Sequence, residues 1–168
     1  MSMLTDPDME EIVLGFTEEA SALYEQLIEI LEDYEDEPGQ KKLEEFGQVI
    51  DRVMGAAKSI EAERTGNFCE LGKTISYKAS QSMDNELLNI VVAVLFDTVE
   101  ILQKINKTII NQKSEVLPDI NLDRFSTRLR WLSDKFQNIE RSSVAIATPE
   151  ADKADQKSID ELLQSLGL

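Results

Sequence analysis

Apolar residues recur along this chain at alternating spacings of four and three, and over no useful length at two. Met9, Val13, Phe16, Ala20, Leu23, Leu27, Ile30 and Tyr34 fall on one stripe of a long helix in this way. Thr5-Asp6-Pro7 supplies a capping side chain and a first-turn proline to start it. Asp36-Glu37-Pro38-Gly39 breaks it. Leu43, Phe46, Ile50, Val53, Ala57 and Ile60 predict a second helix, and Thr65-Gly66-Asn67 is expected to end it. Phe68, Leu71, Ile75 and Ala79 mark a short third helix. Leu88, Val91, Leu95, Leu102, Ile105 and Ile109 mark a long fourth, with Thr98 in the stripe. Pro118 sets off a fifth, built on Leu122, Phe125, Leu129, Leu132, Phe136 and Ile139. Four to five helices with such stripes and short connections predict an all-α, antiparallel up-and-down bundle.

The scarcity of glycine and proline, 7 and 4 in 168 residues, agrees with long helices. Chemistry is bounded more sharply. Cys69 is the single cysteine and there is no histidine. An internal disulfide, a thiolate metal cluster and histidine-based acid–base or phosphoryl chemistry are thereby excluded. No metal site and no cofactor of the chain's own are expected. The net charge of −16 is uneven: residues 1–63 hold 18 acidic and 4 basic side chains, against 15 and 13 in the remainder. Such an acidic half repels phosphate backbones and anionic lipids, so neither nucleic acid nor membrane is an expected partner. The most apolar stretch, Leu87 to Phe96, is interrupted by Asn89 and is far shorter than a membrane span. The N-terminus is acidic where a signal peptide would be basic, which predicts a cytoplasmic chain. A homodimer stays open.

Three segments follow from the texture of the chain: a helical bundle over 1–141, a flexible linker over 142–157 and a terminal helix over 158–168. The linker is small, polar and aperiodic around Pro149. In the last segment Ser158 and Glu161 form a capping box, and Ile159, Leu162, Leu163 and Leu166 share one face. A helix this short is marginal alone in water. It either folds back on the bundle or orders in a partner's groove, with its leucines as anchors.

The tail Ser158-Ile-Asp-Glu-Leu-Leu-Gln-Ser-Leu-Gly resembles the peptides that dock on CheY-type receivers in bacterial chemotaxis, at the C-terminus of CheZ phosphatases and the N-terminus of FliM switch proteins. The resemblance implies a CheY-like response regulator as partner, with Ile159, Asp160, Glu161, Leu162, Leu163 and Leu166 as the docking residues. The first part of the bundle resembles the histidine phosphotransfer domain of CheA kinases. Met9-Glu-Glu-Ile-Val-Leu-Gly-Phe-Thr-Glu-Glu-Ala20 is similar to that family's opening helix. Met54-Gly-Ala-Ala-Lys-Ser-Ile-Glu-Ala62 is similar to the segment around its phospho-accepting histidine. Gly66-Asn-Phe-Cys-Glu-Leu-Gly72 is similar to the loop and helix that come next in the family. Lys58 stands where the histidine would be, Glu61 where the family has lysine and Ala62 where it has glycine. A protonated lysine has no lone pair with which to attack an acyl phosphate, so this chain is no histidine phosphotransferase.

A docking face can outlive its phospho-acceptor. Glu44, Gln48, Asp51, Gly55, Lys58 and Ala62 repeat one residue after the core stripe of the second helix and form a polar stripe beside it. Gly55 costs about 1 kcal/mol relative to alanine in mid-helix, which either a closely approaching partner or tight helix packing would explain. Glu44-Glu-Phe-Gly-Gln48, followed by Val49-Ile50, resembles the active-site run Asp-Leu-Thr-Gly-Gln-Val-Ile of CheZ phosphatases. The resemblance implies that Gln48 orients an attacking water and that Glu44 grips the receiver, which itself supplies the aspartyl phosphate, the Mg2+ and a lysine. Glu44 is one methylene longer than the aspartate of that family. Asp134 and Asn138 on the fifth helix form a competing acid–amide pair at the same spacing. Three readings remain: a receiver phosphatase, a non-catalytic adaptor that sequesters or localises the receiver, and a scaffold whose tail packs on itself.

Overall fold

The computed structural model describes residues 2–118 and 120–144, with the backbone alone for 137–144. The described residues are helical without a strand. Asp6 opens the first element by accepting from the Asp8 amide, and a 3-10 turn over Pro7–Met9 leads into α1 (Glu10–Asp36). Then come α2 (Gln40–Ser59), α3 (Glu63–Ser80), α4 (Asn85–Gln112) and α5 (Leu122–Val144). The α1–α2 turn is tied by the Lys42 ammonium, which donates to the carbonyls of Asp33 and Glu37 at the end of α1. Asp84 caps α4 by accepting from the Leu87 amide. The fifth helix runs on past Arg141 to Val144, into the stretch expected to open the linker. The expected linker from 145 onward and the expected docking helix 158–168 lie outside the described residues.

Each helix buries most of the stripe that its spacing predicts; Met9 and Leu71 are half-buried, and the side chain of Ile139 lies outside the described residues. Leu27, Leu43, Phe46, Ile50, Ile75, Leu95, Leu102 and Ile105 are wholly or almost wholly inaccessible to solvent. Full burial of such side chains is worth about 1.5–3 kcal/mol each, which is why periodicity reads so cleanly here. Thr98 is tolerated in the stripe because its hydroxyl donates to the Val94 carbonyl at 2.8 Å. Asn106 of α4 reaches across the core and donates to the Thr17 carbonyl of α1 at 3.0 Å.

Helices α1 to α4 close a ring in which α1 packs on α2 and α4, and α3 packs on α2 and α4. The fifth helix lies outside that ring on α3. Phe68 meets Phe125 near the start of both helices, with ring centroids 5.9 Å apart. Near the end of α3 and midway along α5 the Lys78 ammonium donates to the carbonyl and hydroxyl oxygens of Ser133 at 3.1 and 2.9 Å. The contacts follow the same chain direction, so α3 and α5 run parallel while the ring neighbours run antiparallel.

One boundary differs from the sequence expectation. The second helix stops at Ser59, and Thr65, Gly66 and Asn67 lie within the opening turns of α3. The third helix is therefore 18 residues long, not a short piece. The stop is a Schellman turn: the Glu61 amide donates to the Lys58 carbonyl at 3.2 Å and the Ala62 amide to the Ala57 carbonyl at 2.9 Å. Glu61 takes the left-handed position, φ 61°, that glycine usually fills. Ala62 is fully buried and does not extend the polar stripe of α2. The third helix has no capping side chain of its own. Glu115, from the α4–α5 connection, takes that part by accepting from the Thr65 amide at 2.7 Å, the Thr65 hydroxyl at 2.8 Å and the Arg64 amide at 3.3 Å.

Two substitutions of glutamate should therefore shift stability in opposite directions. Glu61→Gly relieves the left-handed backbone and should stabilise by about 0.5–1 kcal/mol. Glu115→Ala removes the cap of α3 and should destabilise by about 1–2 kcal/mol. Urea unfolding followed by circular dichroism measures both.

Candidate functional site

Helices α2 and α3 approach closely because glycine faces the contact. A Cβ built on Gly72 would stand 2.9 Å from Ile50 Cδ1, and one on Gly47 would stand 3.1 Å from Ser76 Oγ. At the other end of the pair a Cβ on Gly66 would stand 3.4 Å from Lys58 Cγ, so the lysine stem lies over α3. Beside Gly47 the two helices enclose an open groove of about 370 Å³, lined by Glu44, Gly47, Gln48, Asp51, Lys73 and Tyr77.

Glu44 and Gln48 are exposed on its α2 wall, one turn apart. Asp51 crosses to α3, where its Oδ1 accepts from the Lys73 ammonium at 2.9 Å. Both side chains of this pair are nearly half exposed, 46 % and 45 %, so it orients the two groups more than it stabilises the fold. Tyr77 is 59 % exposed on the α3 wall. The groove thus offers an acid, a free amide, an ammonium already held by a carboxylate, and a solvated aromatic ring.

Of the residues singled out from the sequence, Glu44, Gln48 and Asp51 share this groove. Lys58 does not line it. It is exposed near the end of α2, roughly 15 Å from Gln48 along the axis at 1.5 Å per residue. Gly55 is also exposed, and an added Cβ meets nothing within 4 Å. Helix packing thus does not account for it; the glycines that packing requires are Gly47 and Gly72. Asp134 is exposed on α5, while the side chain of Asn138 and the whole of the tail set Ile159, Asp160, Glu161, Leu162, Leu163 and Leu166 lie outside the described residues.

Spacing along α2 misses Lys73 and Tyr77 because they belong to a different helix. Their own spacing of four places them on one face of α3, beside the Ile75 and Ala79 stripe. Aligning α2 and α3 antiparallel, with Gly47 opposite Ser76, would have brought them to Gln48.

Thiol chemistry has no place here. Cys69 is fully buried, and burial, with the Glu115 charge adding to it, pushes its thiol well above the usual range. Among the described residues no group of three or more histidine, cysteine, aspartate or glutamate side chains gathers as a metal site, and no helix is long and apolar enough to cross a membrane. No family model, curated protein or solved structure matches the chain.

Gly55→Ala isolates the helix cost of an exposed glycine. It should raise stability by about 0.5–1 kcal/mol, read as a shift of the denaturation midpoint at unchanged slope.

Proposed function

We propose that the α2–α3 groove docks a CheY-like response regulator and promotes loss of its aspartyl phosphate, with Gln48 as the catalytic residue. The observation that carries this reading is the placement of an exposed amide, Gln48, one turn from an exposed carboxylate, Glu44, in a groove open enough to admit a partner's edge. The likeness of this run to the CheZ active site and of the tail 158–168 to receiver-docking peptides supports it from the sequence.

In this reading the chemistry asks little of the chain. Water attacks phosphorus as the phosphorus–oxygen bond to the receiver's aspartate breaks. Inorganic phosphate leaves, the aspartate is regenerated as carboxylate, and the proton of the attacking water passes to the phosphate. The transition state of phosphoryl transfer is loose, so position and electrostatics dominate. A neutral amide is suited to positioning, because its carbonyl accepts from the water and holds a lone pair towards phosphorus. The Mg2+ and the lysine that neutralise the phosphoryl oxygens belong to the receiver. Glu44, exposed one turn away, is free to pair with a cation of the partner, and its longer stem extends that reach. Tyr77 adds an aromatic anchor of the kind that concentrates binding energy at interfaces.

The adaptor reading draws on the same groove. Its lysine is already held by Asp51 and its wall carries an exposed aromatic ring, Tyr77, features that serve binding without turnover.

Mixing the full chain with a phosphorylated CheY-type receiver and Mg2+ separates the two. Release of inorganic phosphate should accelerate, and Gln48→Ala should lower that acceleration on the order of 100-fold while leaving receiver affinity within about twofold. Tyr77→Ala and deletion of 158–168 should instead weaken affinity. Binding without acceleration leaves the adaptor. No binding by the intact chain removes both readings.

A further inference from the structure

The basic side chains of this acidic protein are not spread evenly over its helices. The first helix carries ten acidic residues and no basic one, whereas α5 holds four of the chain's six arginines. One of these, Arg130, lines with Arg64 of α3 a second open notch, formed where the parallel helices α3 and α5 begin. The notch measures about 340 Å³ and is lined by Arg64, Asn67, Phe68, Leu122, Asp123, Ser126, Thr127 and Arg130.

Two guanidinium groups beside one cavity repel each other and would ordinarily be offset by nearby carboxylates, of which this chain has many. Among the described residues neither Arg64 nor Arg130 forms an ion pair, and neither guanidinium donates a hydrogen bond. The Arg64 amide is already engaged by Glu115, so the group that α3 leaves free at this notch is the side-chain fork. Ser126 and Asn67 add a hydroxyl and an amide to the lining, while the Thr127 hydroxyl donates to the Asp123 carbonyl at 2.9 Å. The planar, always-charged forks match the oxygens of a phosphoryl group, which two arginines grip better than two ammonium groups would.

We infer that this notch binds the dianionic phosphoryl group of phosphate or of a small phosphate monoester. Its volume, roughly ten waters at 30 Å³ each, exceeds what a single phosphate fills. Phe68 and Leu122, almost wholly buried, contribute the apolar part of its lining. Asp123 is the one carboxylate in the lining among the described residues. It lies in the first turn of α5, where the helix dipole favours it, and its charge opposes a bound anion. The site is independent of the α2–α3 groove and of the chemistry proposed there.

Isothermal titration of the full chain with inorganic phosphate and with phenyl phosphate, at low ionic strength, tests the assignment. Arg64→Gln and Arg130→Gln should each weaken binding about tenfold or more, and Asp123→Asn should tighten it several-fold. Arg124→Gln removes a charge from the same helix outside the notch and should leave affinity within about twofold. Unchanged helicity by circular dichroism establishes that each variant folds. Equal affinity for the two probes assigns the site to phosphate itself, and tighter phenyl phosphate binding assigns it to a monoester. Equal losses in Arg124→Gln and Arg130→Gln would reduce the effect to general attraction and overturn the site. No heat from either probe at millimolar concentration would also overturn it.

Discussion

Gly47 and Gly72 let α2 and α3 close to a separation at which an added methyl at Gly72 would stand 2.9 Å from a fully buried isoleucine. Interiors are packed too densely to absorb such a group freely, so this spacing is a fixed dimension of the molecule. Other features inherit it. The Schellman turn at Ile60–Ala62 reverses the chain tightly enough to hold the two helices in register, at the cost of a left-handed glutamate. The register sets Asp51 against Lys73 and Ser76 against Gly47, which fixes the composition of the groove walls. With α2 and α4 on two of its sides, α3 has another left for α5.

The helices were legible because each stripe residue is worth kilocalories of burial and recurs every turn. The error between Ile60 and Asn67 has a specific cause. Threonine, glycine and asparagine in succession carry the signals of a helix end. Here they serve other ends: Thr65 donates to Glu115, Gly66 lies under the Lys58 stem, and Asn67 lines the α3–α5 notch. The true stop lies at a glutamate that no local propensity would put in the left-handed region, and α3 is capped by a residue some fifty positions away. Glycines misled in the same way. Gly55 attracted attention because the sequence shows a cost and hides the surroundings; Gly47 and Gly72, which the contact requires, look no different until α3 is placed. Candidate side chains on one helix, Glu44, Gln48 and Asp51, follow from spacing. Lys73 and Tyr77 require knowing which helix packs opposite and in what register, information that resides in tertiary contacts.

Charge follows the topology. The acidic α1 adjoins α2, and the arginine-bearing α5 adjoins α3, so the helices that form the groove have neighbours of opposite sign. At physiological ionic strength fields from exposed charges fade over about 8 Å. Each neighbour would therefore act on the near flank of any molecule approaching the groove, and the pair of signs would set orientation more than affinity.

That distinction bears on Lys58. It is one of only four basic residues in the first 63. Its stem rests over Gly66, while Gln48 lies roughly 15 Å back along the same helix. The course of its stem over α3 at Gly66 places Lys58 outside the groove that Gln48 lines. The chemistry open to Lys58 is that of a fixed positive charge at the rim of the α2–α3 face, able to select how a partner lands. The groove itself gathers different groups: the exposed amide of Gln48, the exposed acid of Glu44 and a nearer lysine, Lys73, already committed to Asp51.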